Sequence, residues 1–361
     1  MRIERKETRQ ISVGPVKVGG GAPISVQSMT NTDTRDVDAT VAQIRRLTRA
    51  GCEIVRVAVV DAEAAEALVR IKSQIEIPLV ADIHFDHRLA IASIQAGADG
   101  LRINPGNIGG KDRVKQIASC AAEHAVPIRI GVNAGSLEKD LVTKYNGATA
   151  EAMVESALRH ISQLQDDGFG QIKVSIKASD VGRTLSAYRA LSEKTDLPLH
   201  VGVTEAGGLF SGIVKSSLGI GMLLSEGIGD TIRVSLTRDP VEEVRVGYEI
   251  LRALDIRRHG PEIISCPTCG RCEIDLFSIV EQVERALMTY PVPLTIAIMG
   301  CVVNGPGEAR EADIGIAGGR GVGILFKKGK RLRKVPENRL VEALLKELGV
   351  PLDEESRQRP D

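Results

Sequence analysis

Over its first 258 residues the chain repeats one rhythm: a short Val/Ile-rich run, a longer amphipathic or Ala-rich stretch, then another apolar run. The runs are PISVQSM (23–29), EIVRVAVV (53–60), PLVADIHF (78–85), GLRINPG (100–106), PIRIGVNAG (127–135), IKVSIKAS (172–179), LHVGVTEAG (199–207) and TIRVSLT (231–237). Between them lie helical patterns such as DVDATVAQIRRLTRAG, DAEAAEALVRIKSQI, AEAMVESALRHISQLQDDG and DPVEEVRVGYEILRAL. The last opens on Asp239-Pro240, an N-cap followed by Pro at the first helical position. The chain has no Trp, five Phe and four Tyr, so its core must be built of Val, Ile, Leu and Ala, which suits strands buried in a parallel sheet. Eight βα units in about 250 residues predict a (β/α)8 barrel. The alternative, a doubly wound sheet, lacks its glycine fingerprint. No G-x-x-x-x-G-K-[ST] occurs, and GGRGVG (318–323) opens no convincing helix.

The rhythm breaks at DIRRHGPEIISCPTCG. After it come a helix (about 273–288), a strand LTIAIMG (294–300), a glycine-rich loop, two strands (DIGIAGG, GVGILFKKG) and a last helix, ENRLVEALLKELG. Residues 1–258 therefore read as an α/β barrel domain and 259–361 as a small α+β domain. Lys plus Arg and Asp plus Glu both total 47, which argues against a nucleic-acid or anionic-membrane partner, as does the shortage of aromatics for base stacking. The charged start MRIERKETRQ has no apolar h-region and no apolar run reaches membrane length, so a cytoplasmic protein is expected. Six cysteines in such a chain point to metal or redox use, not disulfides.

Cys266, Cys269 and Cys272 stand at two-residue gaps in SCPTCGRCEIDL, and Cys301 enters the loop MGCVVNGPGEAREADIG, rich in tight-turn residues. Cys52 and Cys120 read as small buried hydrophobes. Structural zinc would need four ligands, often two CxxC knuckles, and the second knuckle is missing. A [4Fe–4S] cluster accommodates one distant cysteine. A redox thiol pair would lack its βαβ context. On spacing alone all three stay open.

Barrel enzymes carry their sites at the C-terminal strand ends. There, polar residues interrupt the apolar runs: Arg56; Asp82 and His84; Arg102 and Asn104; Arg129 and Asn133; Lys173, Ser175 and Lys177; Glu205; Arg233 and Ser235. Charges seldom stay buried without partners. Convergent at the barrel mouth, these cations form a pocket for a phosphate or diphosphate. The bland reading is a structural network that neutralises Asp82 and Glu205. Lys177 also admits a Schiff-base aldolase reading, which needs a depressed pKa. The histidines show no metal-binding spacing; His84 and His87 flank a strand end, while His124, His160 and His259 read as surface helix or linker positions.

The runs SCPTCGR, MGCVVNGPGEA, GIGDTIRVSLT and HVGVTEAG closely resemble the IspG/GcpE family, the 4-hydroxy-3-methylbut-2-enyl diphosphate synthases, over essentially the whole chain and in the bacterial two-domain form. The resemblance implies a TIM-like barrel followed by an iron–sulfur domain. It implies a [4Fe–4S] cluster held by Cys266, Cys269, Cys301 and Glu308, with Cys272 a bystander. A carboxylate is a harder ligand than thiolate and suits that iron less well, so Glu308 is the exchangeable one. The implied reaction is reductive dehydration and ring opening of 2-C-methyl-D-erythritol 2,4-cyclodiphosphate in the methylerythritol phosphate route to isoprenoids. Two electrons enter singly from reduced flavodoxin or ferredoxin. Arg56, Arg102, Arg129 and Lys177 hold the diphosphate, Asn133 and Ser235 add hydrogen bonds, Glu205 is the acid/base group, and Asp82 and His84 are pocket residues. A homodimer is implied, with the small domain of one chain over the barrel of the other. The rival from another class is a phosphosugar aldolase or isomerase with a structural zinc domain.

Overall fold

A computed structural model describes residues 3–288, 290–301 and 311–351. The chain divides between Arg257 and Arg258 into two compact units. The first begins with a hairpin, β1 (Ile11–Val13) and β2 (Val16–Val18). Eight strands follow: β3 (Ser25–Met29), β4 (Ile54–Ala58), β5 (Leu79–Ile83), β6 (Gly100–Ile103), β7 (Ile128–Asn133), β8 (Ile172–Lys177), β9 (His200–Val201) and β10 (Thr231–Ile232). They run parallel in the order β8-β7-β6-β5-β4-β3-β10-β9. The ends meet through a bridge between Val174 and Leu199 and a bond from Val174 N to Pro198 O at 3.0 Å, which closes the sheet into a barrel.

One local device recurs around the barrel. The loops that leave the strands end on Asp36, Asp61, Asp86, Asp180 and Asp239, and each carboxylate accepts a hydrogen bond from a backbone N–H in the first turn of the next helix. Each such cap contributes about 1 kcal/mol and fixes where the helix starts. Asp239 also precedes Pro240 at the first helical position, as the sequence predicts. The hairpin packs Ile11, Val13 and Val18 against Ile54 and Val80, at the N-terminal starts of β4 and β5. It covers the bottom of the barrel and leaves the C-terminal end to carry a site. The runs contain no turn signal that would announce this hairpin beyond Gly14-Pro15, and the sequence reading passes over it.

All eight predicted barrel strands are present, but β9 and β10 are only two residues long, against 199–207 and 231–237 expected. Beyond β9 the two backbones close in. A Cβ at Gly202 would sit 2.3 Å from the Arg233 carbonyl oxygen. The chain then leaves extended geometry at Glu205, whose φ is +51°. His160, read as a surface residue, is buried, with Nε2 2.9 Å from the Glu138 carboxylate.

The second unit holds a five-stranded sheet in the order β11 (Glu262–Ser265), β12 (Thr295–Met299), β13 (Ile314–Ala317), β14 (Val322–Lys327), β15 (Lys330–Pro336). The first three are parallel, and β14 and β15 are antiparallel to their neighbours. Helices Leu276–Ala286 and Leu340–Leu348 bury Ile279, Val283, Leu344 and Leu345 with Ile296, Ile298, Ile316 and Leu325. The expected elements are present; β11 and β15 are additional. Both are edge strands, exposed along much of their length, and so lack the apolar run that betrays a central strand. Among the described residues no helix is long and apolar enough to cross a membrane.

Candidate functional site

At the C-terminal end of the barrel opens a cavity of about 460 Å³. Of the expected residues, His84, Arg102, Asn133 and Glu205 line it, beside Phe85, Asn104, Asn107, Ser136, Arg183 and Thr204. Arg56, Asp82, Arg129, Lys177 and Ser235 are not in its lining, yet strand register links several of them to it. In neighbouring parallel strands Asp82 is opposite Arg102, Arg102 opposite Arg129, and Asn133 opposite Lys177. Period-two alternation sends such residues inward together.

Asp82 is the hub. Its carboxylate accepts from Arg102 Nη1 at 3.0 Å and lies 3.6 Å from Arg56 Nε. Burial by itself would raise its pKa, but Arg56, His84, Arg102 and Arg129 hold it well below the usual carboxylate range. Arg102 Nη1 also donates to His84 Nε2 at 3.2 Å. Arg56 Nη2 is 3.0 Å from the Met29 sulfur, a weak acceptor. Directly after β10, two strands round from Arg56, Arg233 donates to Ser235 Oγ at 2.6 Å and to Glu243 Oε1 at 3.2 Å. The bland reading is thus met in part: Asp82 is a neutralised structural partner, while Glu205 stands exposed at the cavity with no ion pair among the described residues.

Carboxylates do not match the cations here. Asp82, Glu243 and Asp230, the last facing Lys173 and already paired with Arg5, stand against Arg56, Arg102, Arg129, Lys173, Lys177 and Arg233, all of them buried or nearly so. Burial, then Arg129, Arg233, Arg56 and Arg102, push the Lys177 ammonium well below its ordinary value. Burial and the Arg129 charge bring Lys173 down to about 7, and burial brings Arg56 to about 10. Arg102 Nε, Arg129 Nε and Lys173 Nζ are buried without a hydrogen-bond partner among the described residues. Each such donor carries a desolvation cost that an anion in the barrel mouth would relieve. His200, which the sequence does not single out, sits fully buried among Arg129, Lys177 and Lys173, with neither ring nitrogen hydrogen-bonded among the described residues. Its alternation with Gly202, whose Cβ position faces Lys177 Nζ, in the run LHVGVTEAG is the signal that marks it as inward-facing.

The thiols belong to the second unit. Cys266 directly follows β11 and Cys301 lies two residues past β12. These strands are parallel neighbours, with Ser265 opposite Ile298, so the two cysteines leave the same end of the sheet. Cys266, Cys269 and Cys301 line one cavity of about 130 Å³, with Arg271, Met299 and Gly300. Cys301 is buried, Cys266 half-buried and Cys269 exposed. Glu308 lies outside the described residues, and among those described no three His, Cys, Asp or Glu side chains are gathered at metal-binding distance. The donors nevertheless suit iron–sulfur chemistry. They are soft sulfurs around one cavity, and Gly300 N–H donates to Cys266 Sγ at 3.5 Å, a bond of the kind that tunes such clusters. Cys272 is turned away: its Sγ donates to Ile274 O at 3.3 Å and it does not line the cavity. Cys52 is buried as expected; Cys120 is half-buried.

Cys272 has a packing partner in Gly300. A Cβ on Gly300 would meet Cys272 Sγ at 2.5 Å, and Glu273 N donates to Gly300 O at 3.0 Å. Gly300→Ala is therefore expected to destabilise the metal-free second unit by about 2 kcal/mol through overpacking. The double variant Gly300→Ala, Cys272→Ala is expected to recover most of that loss, and a thermal-denaturation cycle over the four proteins reads the coupling.

Together these features define a barrel protein with a cationic mouth joined to a unit that presents cysteines at one end of a small sheet. Residues 8–248 match the GcpE TIM-barrel domain and residues 262–349 the GcpE protein C-terminal domain. The chain belongs to the GcpE family. It is 60% identical over 344 residues to a 4-hydroxy-3-methylbut-2-en-1-yl diphosphate synthase (flavodoxin) of Geobacter sulfurreducens, covering 95% of this chain and 98% of that one. It is 58% identical over 360 residues to the protein of the same name from Desulfotalea psychrophila, covering 99% of each. Among solved structures, dihydropteroate synthase from Stenotrophomonas maltophilia is similar in fold alone, with a TM-score of 0.50 at 14% identity over 69% of this chain and 98% of that one.

Proposed function

We propose that this chain is a 4-hydroxy-3-methylbut-2-en-1-yl diphosphate synthase: an oxidoreductase of the methylerythritol phosphate route that reductively opens and dehydrates 2-C-methyl-D-erythritol 2,4-cyclodiphosphate with electrons from flavodoxin. The observation that carries the reading is the excess of buried cations with unpartnered donors beneath an open barrel mouth, in a chain of this family. A diphosphate supplies the missing charge and acceptors. Arg102 and Asn133 reach it from the cavity wall, and Arg56, Arg129 and Lys177 provide the field beneath. Ser235 is fixed by Arg233, and His84 by Arg102, so both present oriented polar groups. Glu205, at the rim, is placed to hand over or take a proton at the substrate hydroxyls.

In the second unit Cys266, Cys269, Cys301 and Glu308 would hold a [4Fe–4S] cluster. Bound there, it supplies electrons one at a time and Lewis-acid iron for the departing oxygen. The substrate and cofactor sites lie in separate units, which is the reason to propose that cytoplasmic homodimers bring one chain's second unit to another's barrel. The relatives do not favour an aldolase, and Lys177 is not in the lining of the mouth cavity.

Anaerobic purification of wild type and Glu308→Ala, with metal and sulfide analysis and a visible spectrum, tests the reading. The expected wild type is brown, with about four iron and four sulfide per chain. Glu308→Ala is expected to keep part of the cluster and lose turnover. A colourless protein with one zinc, and borohydride trapping at Lys177, would replace this function by the aldolase.

A further inference from the structure

The edge strand β15, the turn before it and the last residue of β14 carry Lys327, Lys328, Lys330, Arg331, Arg333 and Lys334, every one exposed. A few lysines guard an edge strand against pairing with another sheet. This row is far denser than that, in a chain whose formal net charge is zero. Among the described residues only Arg333 has a carboxylate partner, Glu347 at 3.4 Å. Leu332 stands exposed between Arg331 and Arg333, 46% accessible. An apolar spot ringed by unpaired charge is the anatomy of a protein-docking patch. No aromatic side chain accompanies the row on β15 to stack on nucleic-acid bases.

Strand register ties the Lys334 end of the row to the cysteines, while Lys330, opposite Lys327 and through it Ile314, lies towards the other end of the sheet. Met299, which lines the thiol cavity, is opposite Ala317, Ala317 opposite Ile324, and Ile324 opposite Lys334. Three inter-strand steps span about 14 Å. We infer that the edge of β15 is the docking surface for an acidic one-electron carrier protein of the flavodoxin kind, seated along Lys330, Arg331 and Lys334 with its prosthetic group over the Lys334 end, which is the end of the strand beside the cysteines. This rests on the proposed function and names the surface that function would use. Each encounter oxidises the carrier's reduced flavin by one electron, and two encounters complete a turnover. Opposite charge raises the encounter rate and makes it salt-dependent.

The test is the holoenzyme variant Lys330→Glu, Arg331→Glu, Lys334→Glu, assayed with reduced flavodoxin and, separately, with dithionite, which needs no docking. A rise of about tenfold or more in KM for flavodoxin, with the wild-type salt dependence flattened and dithionite turnover within twofold of wild type, is the expected result. An unchanged KM for flavodoxin overturns the docking site. An equal fall with both donors assigns the strand a structural role and overturns it too. Retention of a DNA oligonucleotide by wild type that the variant loses, with KM unmoved, gives the strand to nucleic acid instead. Wild type that turns over with neither donor removes the proposed function, and the docking surface with it.

Discussion

Asp82→Asn lowers the melting temperature of the barrel by roughly 10 °C, the largest stability effect expected of any single change near the mouth. The carboxylate is buried and touches Arg102 at 3.0 Å and Arg56 at 3.6 Å. Asn keeps the shape and one acceptor but removes the charge. Arg56, Arg102 and Arg129 are then left with no carboxylate at the hub, and an uncompensated buried charge costs about 3–5 kcal/mol. The pH dependence follows from the depressed native pKa. Such a group stabilises the fold fully above the ordinary carboxylate value of 3.8, and the contribution is lost as pH falls through the lower native value. The gap between wild type and variant is therefore constant at neutral pH and shrinks only in strong acid. Added inorganic diphosphate is expected to raise the variant's melting temperature more than the wild type's, because it restores the missing negative charge. Equal stabilisation of both proteins would show that the anion does not bind near Asp82.

That result would explain how much of this site was legible in the sequence. Inward-facing polar residues announce themselves by interrupting Val/Ile runs at period two, so Arg56, Asp82, Arg102, Arg129 and Lys177 are readable before any coordinates. Which of them pair is not. Asp82 reads as a pocket residue and proves to be the counter-charge of two arginines. That distinction depends on how strands 20 residues apart in sequence are staggered, and stagger is a property of the closed barrel. His200 is hidden for a related reason: a buried unpartnered imidazole looks in sequence like any histidine in a strand. In the second unit the cysteine spacing is legible, but the strand β11 that aims Cys266 is not, because an edge strand need not be apolar. The turn of Cys272 towards Ile274 rests on a contact with Gly300 that no spacing encodes.

Glu205→Gly separates stability from activity most sharply. Glu205 is exposed at the cavity and holds φ at +51°, a left-handed conformation that costs an L-residue with a Cβ about 1 kcal/mol and glycine almost nothing. The loop takes positive φ at both Glu205 and Gly207, and only the second of these is a glycine. A strained non-glycine residue lining a cavity is kept for what its side chain does. Glycine at 205 is therefore expected to raise stability by about 0.5–1 kcal/mol, read as a small upward shift in melting temperature. The same change is expected to lower turnover by about 10²–10⁴-fold through loss of proton transfer. Glu205→Gln keeps the backbone strain and the size of the side chain, so it is expected to leave the melting temperature unmoved while losing activity to a similar extent. A glycine variant that is both less stable and less active would instead mean that the carboxylate anchors the loop after β9. The acid/base role would then pass to another group at the rim, with His84, held by Arg102, the next in reach.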